Sequence, residues 1–113
     1  MLKISVTHTR AQCRVILEGR LVAPWDAELR TACAGVKGEL KGRVLVIDLE
    51  NVTAISHEGE RVLLQLMNDD AKFRCRGVFT KHVLRQLARQ IKKDPNDLIE
   101  TVRPSVREQK KEK

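Results

Sequence analysis

Residues 43–67, RVLVIDLENVTAISHEGERVLLQLM, restrict what this chain can fold into more than any other stretch. Val44 to Ile47 is an unbroken apolar run rich in β-branched residues, the pattern of a strand buried on both faces. Such a strand belongs at the centre of a sheet. From Asp48 to Ser56 polar groups mix with Val52, Ala54 and Ile55, so the chain is expected to leave the sheet, turn, and bring an apolar pair back against it. From His57 the period becomes helical, with Val62, Leu63, Leu66 and Met67 on one stripe and Glu60, Arg61, Gln65 and Asn68 on the other. The loop between strand and helix is the natural place for a site, because loops at the ends of buried strands are held rigidly yet face solvent.

The order of an apolar strand ending in Asp48-Leu49, a short Val52-x-x-Ile55 segment, and a four-residue turn closing on Gly59 before an amphipathic helix resembles the STAS domain, the anti-sigma-factor antagonist module. In that family the turn reads Asp-Ser-x-Gly, and a partner kinase phosphorylates the Ser. Here it reads Ser56-His57-Glu58-Gly59. Aligned on the glycine, Ser56 takes the family's Asp slot and His57 its phosphoacceptor slot. Asp48 falls on an Asp that is part of the family's frame. The resemblance covers residues 2–93 and implies a protein-binding module whose partner is a regulatory protein, in the family an anti-sigma factor with kinase activity.

At 113 residues the chain is long enough for one hydrophobic core and too short for two. Its three cysteines, Cys13, Cys33 and Cys75, are odd in number and far apart, which suggests reduced thiols and neither a disulfide framework nor a zinc site. No stretch approaches the roughly 20 apolar residues of a membrane helix, and MLKISVTHTR lacks a signal-peptide apolar core. The expectation is a cytoplasmic, bacterial-type protein. Its net charge of +7 is unevenly spread, with 13 Lys/Arg against 5 Asp/Glu in residues 72–113 and 9 against 10 in residues 1–71. A C-terminal excess of that kind attracts acidic partners, whether protein, membrane surface or nucleic acid.

Leu2 to Thr7 alternates as a strand with one wet face, and Val15 to Leu17 reads as a second strand ending at Glu18-Gly19, the two forming an edge hairpin. Gly19-Arg20-Leu21 stands where STAS strands commonly close on Gly-x-Leu. Pro24 suits a first helical turn, and Asp26 and Glu28 suit the positive end of the helix dipole, so a helix is expected from Trp25 with Leu29, Ala32, Cys33 and Val36 inward. Residues 71–80, AKFRCRGVFT, read as a strand with Phe73 and Cys75 inward, and Val78 and Phe79 with them. Thr80 then caps a third helix, with Val83, Leu84, Leu87, Ala88 and Ile91 buried and a wholly basic outer face of Lys81, Arg85, Arg89, Lys92 and Lys93. Strands alternating with helices require crossovers, hence an α/β fold. It has a mixed sheet of about four strands, mostly parallel with an antiparallel edge hairpin, and three helices packed on it. Residues 1–93 form that domain and residues 94–113 a basic, flexible tail, in which Leu98 to Val102 could add a short element and Pro104 to Lys113 is expected to be disordered.

Competing motifs fail on their own chemistry. Gly35-Val36-Lys37-Gly38 matches the G-x-x-G of KH domains but precedes a buried strand instead of joining two helices, and no Gly-Lys-Ser/Thr of a Walker A loop occurs. His57-Glu58 begins an H-E-x-x-H zinc motif, yet position 61 is Arg61. His8 and His82 have no accompanying ligands, and Ser56 beside His57 lacks an orienting acid. No enzyme, metal or cofactor is therefore expected. Ser56 suits an N-cap of the second helix, with its own phosphorylation as the alternative role. The expected partner surface is Ser56, His57, Glu58 and Gly59 with Arg61 of the second helix and Lys81 and Arg85 of the third. A second copy of the chain is another partner it admits, and the alternative function is weak nucleic-acid binding by the basic third helix and tail. Exposed aromatics that stack bases argue for such binding, and here Phe73 and Phe79 are expected inside.

Overall fold

A computed structural model describes residues 1–101. The elements in chain order are β1 (Leu2–His8), β2 (Gln12–Leu21), α1 (Trp25–Lys37), β3 (Val44–Ile55), α2 (His57–Asn68), β4 (Lys72–Cys75), α3 (Val78–Gln90), α4 (Pro95–Leu98) and β5 (Ile99–Thr101). They form a five-stranded sheet in the order β1-β2-β3-β4-β5, in which β1 and β2 are antiparallel and every other neighbouring pair is parallel. The expected mixed sheet with its antiparallel edge hairpin is present, enlarged by one strand.

Three successive crossovers each step one strand further in the same direction, and α1, α2 and α3 share one buried layer on a single face of the sheet. Alternation along the strands shows that face directly. Cys13, Val15 and Leu17 of β2, Leu45, Ile47 and Leu49 of β3, and Phe73 and Cys75 of β4 are all buried. Against them lie Leu29, Cys33 and Val36 of α1, Val62, Leu63, Leu66 and Met67 of α2, and Val83, Leu84, Leu87 and Ala88 of α3. Ile47 sits at the middle of this layer, registered between Val15 on one side and Phe73 on the other. Helix α2 packs against both α1 and α3. On the opposite face Arg74 reaches Glu100 at 3.3 Å and Glu50 at 3.8 Å.

Several element boundaries differ from the sequence reading. Strand β3 does not leave the sheet at Asp48 but runs to Ile55, paired with β2 as far as Leu21. The neighbouring β4 stops at Cys75, so the second half of β3 has a partner on one side only and its polar Asn51 and Thr53 stay in solvent. Asp48, which is buried, accepts the Glu50 N–H at 3.0 Å. Strand β2 likewise continues through Gly19 to Leu21. Gly19 has φ +110°, and a Cβ there would lie 2.5 Å from the Met1 carbonyl oxygen, so this glycine forms a bulge pressed against the chain start. The turn that does close the hairpin is held by Thr9, whose hydroxyl accepts the N–H groups of Ala11 and Gln12.

Helix α3 begins at Val78, not after Thr80. Gly77, at φ +87°, supplies the cap position, and Thr80 is buried within the first turn. Val78 and Phe79, expected inside, are 86% and 51% exposed. Past residue 93 the chain remains in the fold. Asp94 caps α4 by accepting the Asn96 N–H, and β5 pairs with β4 from Phe73↔Ile99 to Cys75↔Thr101. The basic stretch 104–113 lies outside the described residues.

Candidate functional site

The turn between β3 and α2 is held by two backbone hydrogen bonds and one side-chain cap, all at Ser56. Ser56 has extended backbone, and its N–H donates to the Leu21 carbonyl at 2.9 Å, tying the end of β3 to the end of β2. Its carbonyl accepts the Glu60 N–H at 2.9 Å, the first bond of the helix, and its Oγ accepts the Gly59 N–H at 3.2 Å. The expected N-cap role of Ser56 is thereby met. Replacing Ser56 with Ala removes that acceptor and should lower stability by about 1 kcal/mol, read as a shift in the denaturant midpoint with unchanged slope.

Gly59 explains why the turn closes where it does. It is buried, and a Cβ at this position would lie 2.6 Å from the Leu21 carbonyl oxygen and 2.8 Å from Leu21 Cγ. Only a residue without a side chain lets the first turn of α2 sit this close to β2. Of the residues assigned to a partner surface, Gly59 therefore positions its neighbours and presents no side chain of its own. His57, Glu58 and Arg61 are exposed on the same turn and helix face, and Ser56 is half-buried. Its own backbone N–H, and after it the nearby Ser56 hydroxyl, hold the Glu58 carboxyl below the usual carboxylate range.

Helix α3 carries the other two expected positions. Arg85 is exposed and Lys81 half-buried. Its outward crest runs Val78, His82, Arg85 and Arg89, residues spaced four, three and four apart and all exposed. The exposed Val78 and Phe79 escaped the sequence reading, though a signal for them was present. The buried stripe of Leu84 and Leu87 extended back by one turn lands on Thr80, which is buried, and puts Val78 on the crest.

Among the described residues no three His, Cys, Asp or Glu side chains converge as a metal site. Cys13, Cys33 and Cys75 are all buried, and burial pushes the Cys33 thiol up to about 11 despite the nearby Lys37 ammonium. No helix among the described residues is long and apolar enough to cross a membrane.

The fold as a whole recurs in solved structures. The crystal structure of an anti-sigma factor antagonist from Mycobacterium paratuberculosis matches with a TM-score of 0.66 at 16% identity, over 94% of this chain and 88% of that one. The chain has the STAS fold. The anti-sigma factor antagonist SpoIIAA in its unphosphorylated form matches with a TM-score of 0.58 at 12% identity, over 74% of this chain and 82% of that one. An uncharacterised protein of the DUF3478 family with a SpoIIAA-like fold, from Shewanella loihica PV-4, matches with a TM-score of 0.53 at 13% identity, over 92% and 87%. No family model and no curated protein matches the sequence. The STAS fold is therefore carried here by a sequence far from its structural relatives.

Proposed function

We propose that this STAS-fold domain is a non-enzymatic interaction module. It binds a regulatory protein of the anti-sigma-factor kind and does so without the family's seryl phosphorylation switch. The observation that carries the reading is His57, exposed at the first position of α2 where the resembling family presents its phosphoacceptor. An imidazole there cannot form a seryl phosphate. The neighbouring Ser56 does not replace it readily, because its hydroxyl caps the helix by accepting the Gly59 N–H, and the carboxylates of Glu58 and Glu60, two and four residues on, oppose a dianion there. The binding surface comprises Ser56, His57 and Glu58, positioned by Gly59, with Arg61 of α2 and Lys81 and Arg85 of α3. Two of the structural relatives bear the name anti-sigma factor antagonist, which supports the partner class.

Phosphosite mapping of the protein from its own cells, paired with binding of the recovered partner to His57→Ser and His57→Asp variants, tests this reading. The expected result is no phosphate on Ser56, and weaker partner binding by His57→Asp, which adds negative charge beside Glu58. Stoichiometric phosphate on Ser56 would sink the switch-free reading. Equal affinity of both variants and the parent would move the binding surface away from the turn.

A further inference from the structure

We infer that the N-terminal tip and outward crest of α3 form a docking surface for an anionic lipid bilayer, one that shares Lys81 and Arg85 with the proposed partner surface but leaves out its turn at Ser56 to Gly59. Val78 and Phe79 stand next to each other at the start of the helix, 86% and 51% exposed, beyond the bend at Gly77. They form a projecting apolar tip on an otherwise charged surface. Cations surround it. Arg76 precedes it, Lys81 follows, and Arg85 and Arg89 continue the crest that Val78 begins, while residues 71–93 contain no Asp or Glu. Ion pairs among the described residues take up Lys37, Arg74 and Lys93 and leave Arg76, Lys81, Arg85, Arg89 and Lys92 to solvent or to a ligand.

Insertion of a small apolar tip is weak alone, and so is a basic patch on an anionic surface. Stable attachment takes both signals, which this end of the protein combines. Nucleic acid would also welcome the cations, but bases stack on rings. The more exposed of the two apolar side chains is the aliphatic Val78, and Phe79 is the only exposed Phe or Trp among the described residues.

Co-sedimentation of the full chain with vesicles of phosphatidylcholine mixed with phosphatidylglycerol, against phosphatidylcholine alone, tests the inference. Binding is expected to the mixed vesicles only, and to fall steeply between low and physiological salt as screening shortens the reach of the charges. Val78→Asn/Phe79→Asn and Arg76→Gln/Arg89→Gln double variants alter exposed positions outside the proposed partner surface. Each should fold normally by circular dichroism and bind mixed vesicles at least about tenfold more weakly. Several results would overturn the proposal: no vesicle binding by the parent, equal binding to neutral vesicles, undiminished binding by Val78→Asn/Phe79→Asn, or tight capture of a single-stranded RNA oligonucleotide with vesicles ignored. None of these outcomes bears on the partner assay at His57, so the two readings fail independently.

Discussion

Replacing Ile47 with alanine is expected to destabilise the protein by about 2–5 kcal/mol, the range for truncating a buried aliphatic side chain with partial collapse of the cavity. Ile47 is fully buried, registered between Val15 and Phe73 at the centre of the sheet. On both flanks its neighbours are held by strand pairing, and the helices above are held by their own buried stripes, so little can move in to fill the space. A domain of this size has a total stability of about 5–15 kcal/mol, so the variant should show a sharply lowered denaturant midpoint. A measured loss below about 1 kcal/mol would mean that the strand is not the centre of the core.

Alanine at Gly59 should also be strongly destabilising, by about 1–3 kcal/mol and toward the upper end, because one of the two obstacles is a backbone oxygen that cannot rotate away. Two effects compete at this position. Alanine is the better helix former by roughly 1 kcal/mol, but its Cβ would lie 2.6 Å from the Leu21 carbonyl oxygen, which forces α2 off β2. Gly35 in α1 isolates the first effect, since nothing lies within 4 Å of a Cβ built there. Gly35→Ala should therefore stabilise by about 0.5–1 kcal/mol while Gly59→Ala destabilises. Two changes of the same sign in thermal or denaturant unfolding would show that the close approach of α2 to Leu21 is not what Gly59 provides. Because the same approach holds Ser56 and His57 in place, Gly59→Ala should also weaken partner binding more than Gly35→Ala does.

Local pattern was enough to read the frame of this protein. The apolar run from Val44, the helical stripes of α1, α2 and α3, and the glycine-closed turn after Ile55 depend on neighbours within a few residues, and they led to the STAS resemblance that the structural comparison supports. The Ser56 cap was legible for the same reason, since its partner, Gly59, is three residues away. What local pattern could not decide were features whose partners lie far off in the chain. Whether Asp48 to Ile55 stays in the sheet depends on β2 running alongside to Leu21, and whether Gly19 ends a strand or bulges depends on the Met1 carbonyl against it. Ile99 to Thr101 becomes a strand because β4 presents an open edge. The apolar character of Val78 and Phe79 pointed inward, yet the positive φ of Gly77 starts the helix early and its phase turns them out. Sequence alone thus determined the central parts of β1 to β4 and of α1 to α3 and which face of each helix is apolar. Tertiary structure decided how long each strand runs and which side chains at the element ends reach solvent, because those depend on hydrogen-bond partners and packing surfaces that only the assembled sheet supplies.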